Sequence, residues 1–244
     1  MKDTSNLPTL CMLCVDMNND GTFNANDPRP NFPWPVQHTN TRNNKKTWRI
    51  NRPVPLNYEI PMDWHHMIPW NVLRDSWSAL ATSGCWNVLG VWLNLLLVQN
   101  AQTLLQDMQA QNLAPLDAQN TAECMCWAKW NLVEGPNNTN RTDDPGGDGF
   151  DIFHGSKFSS NVRTRSQILN QIYTLVRNWA HNAAVSSSDA KHLAQMLNNL
   201  KPYKNSPIAM FDGAAWEMVD AGRIDKYGIV APGVGRHPTW RKLP

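Results

Sequence analysis

Apolar positions along this chain change their period, and the change divides it. Residues 1–62 carry eight of the 17 prolines and no helical period, which predicts extended segments and turns. Within them Lys46-Thr47-Trp48-Arg49-Ile50 alternates polar and apolar side chains, the pattern of a short strand. From about Trp70 to Gln111 the period becomes helical. Trp77, Leu80 and Ala81, then Val88, Leu89, Trp92, Leu95 and Leu96, then Leu104 and Leu105 recur at steps of three and four. One or two core helices are expected there, with Gly84 and Gly90 as candidate breaks. The apolar piece Cys85 to Val98, interrupted by Asn87, Gly90 and Asn94, is too short and polar for a membrane span and reads as a buried helix.

Residues 131–149 string together turn formers, Asn137-Asn138 and Gly146-Gly147-Asp148-Gly149 among them, and predict a long loop. A loop of that length inside a compact domain is usually functional. Beyond it Ile168, Ile172, Leu175, Val176 and Trp179 form a helical stripe within 162–181. Asp189 is placed to cap a further helix carrying Leu193, Met196, Leu197 and Leu200, and residues 207–222 suit one more short helix. There is no internal repeat at a 20–50-residue period.

Composition narrows the class. A length of 244 residues suits one domain with sizeable insertions. With 41% hydrophobic and 17% charged residues the chain is neither disordered throughout nor a membrane protein. The 12 Trp and 28 Asn suit a Trp-rich core with many Asn-built turns. A formal charge of +2 excludes a strong overall basic field, so any nucleic-acid contact must come from a local patch. Five Cys do not make a disulfide scaffold, and a reducing folding compartment is expected. The N-terminus lacks the pattern of a Sec signal, so action outside the producing cell would require another export route.

Four constellations carry candidate chemistry. In Asp63-Trp64-His65-His66-Met67-Ile68-Pro69-Trp70, adjacent histidines on an extended segment face opposite sides, so one can bind a metal while the other faces water or substrate. Phe153-His154-Gly155-Ser156-Lys157 follows the Gly-rich loop and leads into a helix. Lys157, Arg163 and Arg165 gather there, where side-chain charge and helix dipole add in favour of phosphate; a solvated basic face is the plain alternative. Taken singly, such histidines are more often surface or satisfied core residues. Asp16, Asn18, Asp20, Thr22 and Asp27, with Gly21 between, match the oxygen positions of an EF-hand-like Ca²⁺ loop. Pro28 and Pro30 forbid a regular exiting helix, which favours an Asx-turn-rich loop instead. Finally, Cys11 and Cys14 with Cys124 and Cys126 are open to a structural Zn²⁺ site, to disulfides or to inert core thiols.

Together, the Asp63–Trp70 run continuing to Asp75, the later Trp130-Asn131-Leu132-Val133-Glu134-Gly135-Pro136 and the His154-Gly155-Ser156 start of a helix resemble the HNH/endonuclease VII nuclease superfamily. Within it they are similar to the AHH branch of bacterial polymorphic toxins, with Trp64 a mark of the sister WHH branch. The resemblance covers about residues 60–180. It implies an α+β, mainly helical fold holding a ββα-metal motif, with residues 72–128 a helical insertion because Asn131 stands 65 positions after His66. The chain is then one domain: an extended segment 1–62, a split core 63–180 and a helical and irregular part 181–244.

By the same resemblance His65 and His154 are metal ligands, with Asp63 a further carboxylate ligand, and His66 is the general base. Asn131 holds the base-bearing loop or touches the metal. The relatives' second histidine past the last one is absent after His154, which leaves Mg²⁺, Mn²⁺ and Zn²⁺ all open. The implied function is metal-dependent hydrolysis of phosphodiester bonds, DNA favoured over RNA. The implied setting is an antibacterial effector of contact-dependent, type VI-like secretion that acts in the target-cell cytoplasm and is neutralised in its producer by a cognate immunity protein. The reading from another class is a non-enzymatic, Ca²⁺-organised binding or adaptor module of a secretion system.

Overall fold

The computed structural model describes residues 17–25, 29–30, 40–43, 47–49, 53–55, 59–98, 100–136, 147–151, 160–182, 184–208, 216–220 and 239–242. Four short strands come first: β1 (Asn40–Asn43), β2 (Thr47–Arg49), β3 (Pro53–Pro55) and β4 (Glu59–His66). β2 falls where the alternation at Lys46–Ile50 predicts a strand.

The helical period of residues 70–111 resolves into three helices rather than one or two: α1 (Trp70–Thr82), α2 (Trp86–Leu95) and α3 (Ala101–Gln109). Gly84 supplies the first break, at φ +67°. Gly90 breaks nothing. It lies inside α2, where a Cβ would meet Leu105 Cδ1 at 3.1 Å, so glycine there permits the close approach of α2 and α3. The second break is made by Leu97 and Asn100, both at positive φ. A fourth helix, α4 (Pro115–Cys126), opens on a proline in its first turn, where the missing N–H costs nothing.

After a 3₁₀ turn at Lys129–Asn131 comes β5 (Leu132–Pro136). The expected loop 131–149 therefore begins as a strand. Leu132 and Val133 are fully buried, and their main chain pairs antiparallel with β4, which outweighs the turn-forming residues that follow. Then come α5 (Ser160–Asn182), α6 (Ser187–Asn199), β6 (Trp216–Asp220) and β7 (Thr239–Lys242). Two more expectations are corrected here. Ser186 rather than Asp189 caps α6: its hydroxyl accepts the Asp189 amide at 3.1 Å. Residues 207–222 form no described helix. Ile208 bridges Val133 in parallel, and β6 pairs with β7.

The fold is α+β and mainly helical, with a three-stranded antiparallel sheet in the order β1-β4-β5 and two separate two-stranded ladders, β2-β3 and β6-β7. α5 packs against α1 and α6, and α6 against α2. Of the expected stripe on α5, Ile172, Val176 and Trp179 are buried while Ile168 and Leu175 are only partly so, and Leu169 and Tyr173 complete the buried face. Trp77 of α1 and Trp92 of α2 meet edge to face at 5.5 Å, and both are fully buried. Each such aromatic contributes at least about 1.5–3 kcal/mol of burial. Here lies much of the tryptophan excess. No helix among the described residues is long and apolar enough to cross a membrane.

A tight turn at residues 17–25 docks on these helices. Met17 bridges Phe23 antiparallel, and Gly21 turns the chain at φ +81°. Its outward carbonyls are taken up by the helices. Gly21 O accepts from the Trp77 indole at 2.9 Å and Asn19 O from the Leu113 amide at 3.1 Å. The Phe23 amide donates to Ser78 Oγ at 2.9 Å, and its ring meets Trp70 edge on at 5.5 Å.

Candidate functional site

The site is built where β4 runs into α1. Antiparallel pairing sets His66 opposite Leu132 and His65 opposite Val133. The strand period of two sends adjacent side chains to opposite faces. His65 is buried at 8% exposure and His66 is partly buried.

Asn131 fixes the corner that follows. Its Oδ1 accepts the Ile68 amide and its Nδ2 donates to the Ile68 carbonyl, both at 2.8 Å, while its own carbonyl accepts the Met67 amide at 2.9 Å. The carboxamide thus acts as a strand-like partner for a chain that has just left the sheet. A third segment joins through the Asp151 amide, which donates to Met67 O at 3.0 Å. Asp151 is 1% exposed, and no pattern of spacing or composition marks it in the sequence.

His66 is oriented from α4. Its Nε2 lies 2.7 Å from the Cys126 carbonyl, which can only accept, so Nε2 carries the proton and Nδ1 is the basic atom. The ring packs on Trp127 with centroids 5.1 Å apart. Burial holds its pKa down to about 4; the Arg29 charge and His65 push the same way, and only the bond to Cys126 O opposes them. The imidazole is therefore neutral at physiological pH.

The other expected residues separate. Arg165 is corrected as a phosphate contact: at 3% exposure its guanidinium donates to the carbonyls of Trp130 at 2.9 Å, Lys129 at 2.7 Å and Ser206 at 2.9 Å. It clamps the turn that carries Asn131, and burial lowers its pKa to about 10. Arg163 is exposed on the first turn of α5. His154 and Lys157 lie outside the described residues, as does the Asp63 side chain, whose backbone pairs with Gly135 in the sheet. Among the described residues no group of three or more His, Cys, Asp or Glu could hold a metal ion. Of the expected ligands, only His65 has a described side chain.

Two further expectations meet their alternatives. Cys124 is exposed and Cys126 buried, as residues two apart on a helix face nearly opposite ways. Burial pushes the Cys126 thiol far up, and Cys124 is raised by burial and by Glu123. Cys11 and Cys14 lie outside the described residues. In the proposed calcium loop Asp16 and Asp27 also lie outside them, and the rest is an Asx turn. Asp20 Oδ1 accepts from Thr22 N at 2.9 Å and Thr22 Oγ1 at 2.7 Å. The Thr22 carbonyl, which an EF-hand loop turns toward the ion, accepts the Asn18 amide at 2.7 Å.

One cation that the sequence does not single out lies against the same tryptophan as the imidazole. The Arg29 guanidinium lies 5.2 Å from the Trp127 ring centroid, and the Trp127 indole N–H donates to Pro30 O at 3.1 Å. Ninety-seven positions separate the two ends of that bond, and no local pattern links them. No family model matches the chain, and no significant match was found among curated proteins or solved structures.

Proposed function

We propose that this chain hydrolyses phosphodiester bonds in nucleic acid, DNA before RNA, with His66 as the general base. One observation carries the reading: the Asn131 carboxamide, in the turn that leads into β5, is bonded to both polar groups of Ile68, two residues after His66. Support also comes from the order β4, β5, α5, with α1–α4 inserted between the strands, which is the order a split ββα motif requires.

His66 Nδ1 takes a proton from a water as that oxygen bonds to phosphorus; the phosphorus–oxygen bond to the leaving nucleotide breaks, and the leaving oxygen is protonated by solvent. The Cys126 carbonyl fixes the tautomer this requires. Asn131 acts as a positioning residue by holding the corner next to the base. The described donors do not by themselves make a metal centre, since no three of them gather among the described residues. On the family resemblance Asp63 and His154 complete it. A divalent cation there would stabilise negative charge on the phosphate and the leaving oxygen. The same resemblance supports an effector role with a cognate immunity protein, whose contact face would be acidic if it covers the site's cations.

The test is incubation of the purified full chain with supercoiled plasmid and with total RNA in Mg²⁺, Mn²⁺, Zn²⁺ or EDTA, beside His66→Ala. Cleavage should require a divalent metal and fall about 100-fold or more in the variant. If the wild-type chain leaves both substrates intact under every metal, the proposal fails.

A further inference from the structure

We infer that Arg29 is the phosphate-contacting cation of this site, linked to the His66 imidazole through the Trp127 ring that touches both. The inference rests on the phosphodiesterase reading and adds to it the group that recognises the substrate's charge.

The three side chains form a ladder. Trp127 is the middle rung, 6% exposed, with His66 at 5.1 Å and the Arg29 guanidinium at 5.2 Å from its ring. Its indole N–H is tied to Pro30 O at 3.1 Å, so the main chain next to Arg29 is fastened to the same ring. Stacking holds the planar guanidinium in place and leaves its N–H edges available to a second partner. Arg29 itself is exposed while Pro30 and Trp127 are buried, so its cation is at the surface and its base is anchored.

Two other arginines are engaged, whereas Arg163 is exposed. Arg165 is committed to three carbonyls, and Arg74 is bonded to Asp75 at 2.6 Å. Among the described residues no carboxylate forms an ion pair with Arg29. A phosphate seated on the exposed guanidinium would accept from its N–H edges. This makes Arg29 and Pro30 part of the site.

The experiment measures anisotropy of a fluorescein-labelled DNA duplex bound by the full chain in Mg²⁺, over 50–300 mM salt, in a His66→Ala background that prevents turnover. Arg29→Gln should weaken binding about tenfold to a hundredfold and reduce the slope of log affinity against log salt by about one. Arg29→Lys should recover part of the affinity, because the charge returns without the planar fork. Lys191→Ala, an exposed cation on α6, should change neither quantity. Arg29→Glu, a second variant at this exposed position, should bind more weakly than Arg29→Gln.

Unchanged affinity and salt slope in both Arg29→Gln and Arg29→Glu overturn the inference. Cleavage by the two variants in an otherwise wild-type chain separates the levels. If the wild type cuts and the Arg29 variants cut and bind equally well, only the role of Arg29 falls. If the wild type neither cuts nor binds, the hydrolase reading falls and this inference with it. If it binds in an Arg29-dependent way without cutting, Arg29 stands as a nucleic-acid contact and hydrolysis is rejected.

Discussion

Asn131 holds Ile68 by both of its main-chain groups, N–H and C=O, each at 2.8 Å, and so continues the β4–β5 pairing one step beyond the sheet with a side chain. Both partners are fully buried. Asn131→Ala should orphan a buried donor and a buried acceptor and cost about 2–5 kcal/mol in urea unfolding. Asn131→Asp discriminates further. Its second oxygen would face the Ile68 carbonyl when ionised, but a protonated carboxyl can donate there. Its pKa is then raised in the folded state, so the deficit against wild type should shrink as pH falls through that value. A deficit that stays flat from pH 7 to pH 4 contradicts the bidentate geometry.

His66 titrates in the same corner. Its folded pKa of about 4 lies below the ordinary 6.5, so between those values the unfolded chain binds the extra proton. The stability associated with the neutral ring is present above about pH 6.5 and lost as pH falls toward 4. The shift sets an upper limit of ~3 kcal/mol, reduced as far as solvent reaches the partly buried ring. Wild type should therefore lose more stability than His66→Gln between pH 7 and pH 4, by urea midpoints at fixed ionic strength. Equal losses would mean that the imidazole is not buried neutral.

What the sequence discloses here follows from range. The helical stripes of α1, α2, α5 and α6 are legible because their period repeats within a few residues, and the core they predict at Trp77, Leu80, Leu89 and Trp92 is buried. The pairing of β5 with β4 is not legible, because Leu132-Val133 is a short apolar run followed by turn formers and its partner lies more than 60 positions away. Asn131 can be named from its motif context, whereas its partner Ile68 needs coordinates. Arg165 shows the opposite failure: a cation near a helix start suggests phosphate, but only the fold reveals that Lys129, Trp130 and Ser206 turn their carbonyls toward it. Arg29 is invisible for the same reason.

Arg165 should therefore behave as a structural clamp. Arg165→Met removes three charge-assisted bonds, one buried and two partly buried, leaves the carbonyls of Trp130, Lys129 and Ser206 without this donor, and should cost about 3–5 kcal/mol. Arg165→Lys should recover less than half, because one ammonium cannot reproduce the fork. Thermal unfolding measures both. Where the variants remain folded, the salt dependence of DNA binding should match wild type; a slope lower by about one unit would return Arg165 to the phosphate contacts.

Gly21 tests how the N-terminal turn is seated. Its φ of +81° disfavours any Cβ, and a Cβ there would stand 2.9 Å from both Cγ and Sδ of Met108. Gly21→Ala carries two costs: about 1 kcal/mol or more for the left-handed backbone and about 1–3 kcal/mol for the overlap. Met108 ends in a flexible thioether, so part of the overlap can relax by rotation. Met108→Ala removes the overlap but opens a cavity of its own, with a cost of about 2–5 kcal/mol. The double variant should then be more stable than the sum of the single losses predicts, by about 1 kcal/mol or more, because the new methyl enters the space Met108 vacates. Strict additivity in this cycle would show that the turn does not sit against α3 at Met108, and the anchoring of the segment that leads to Arg29 would have to be sought elsewhere.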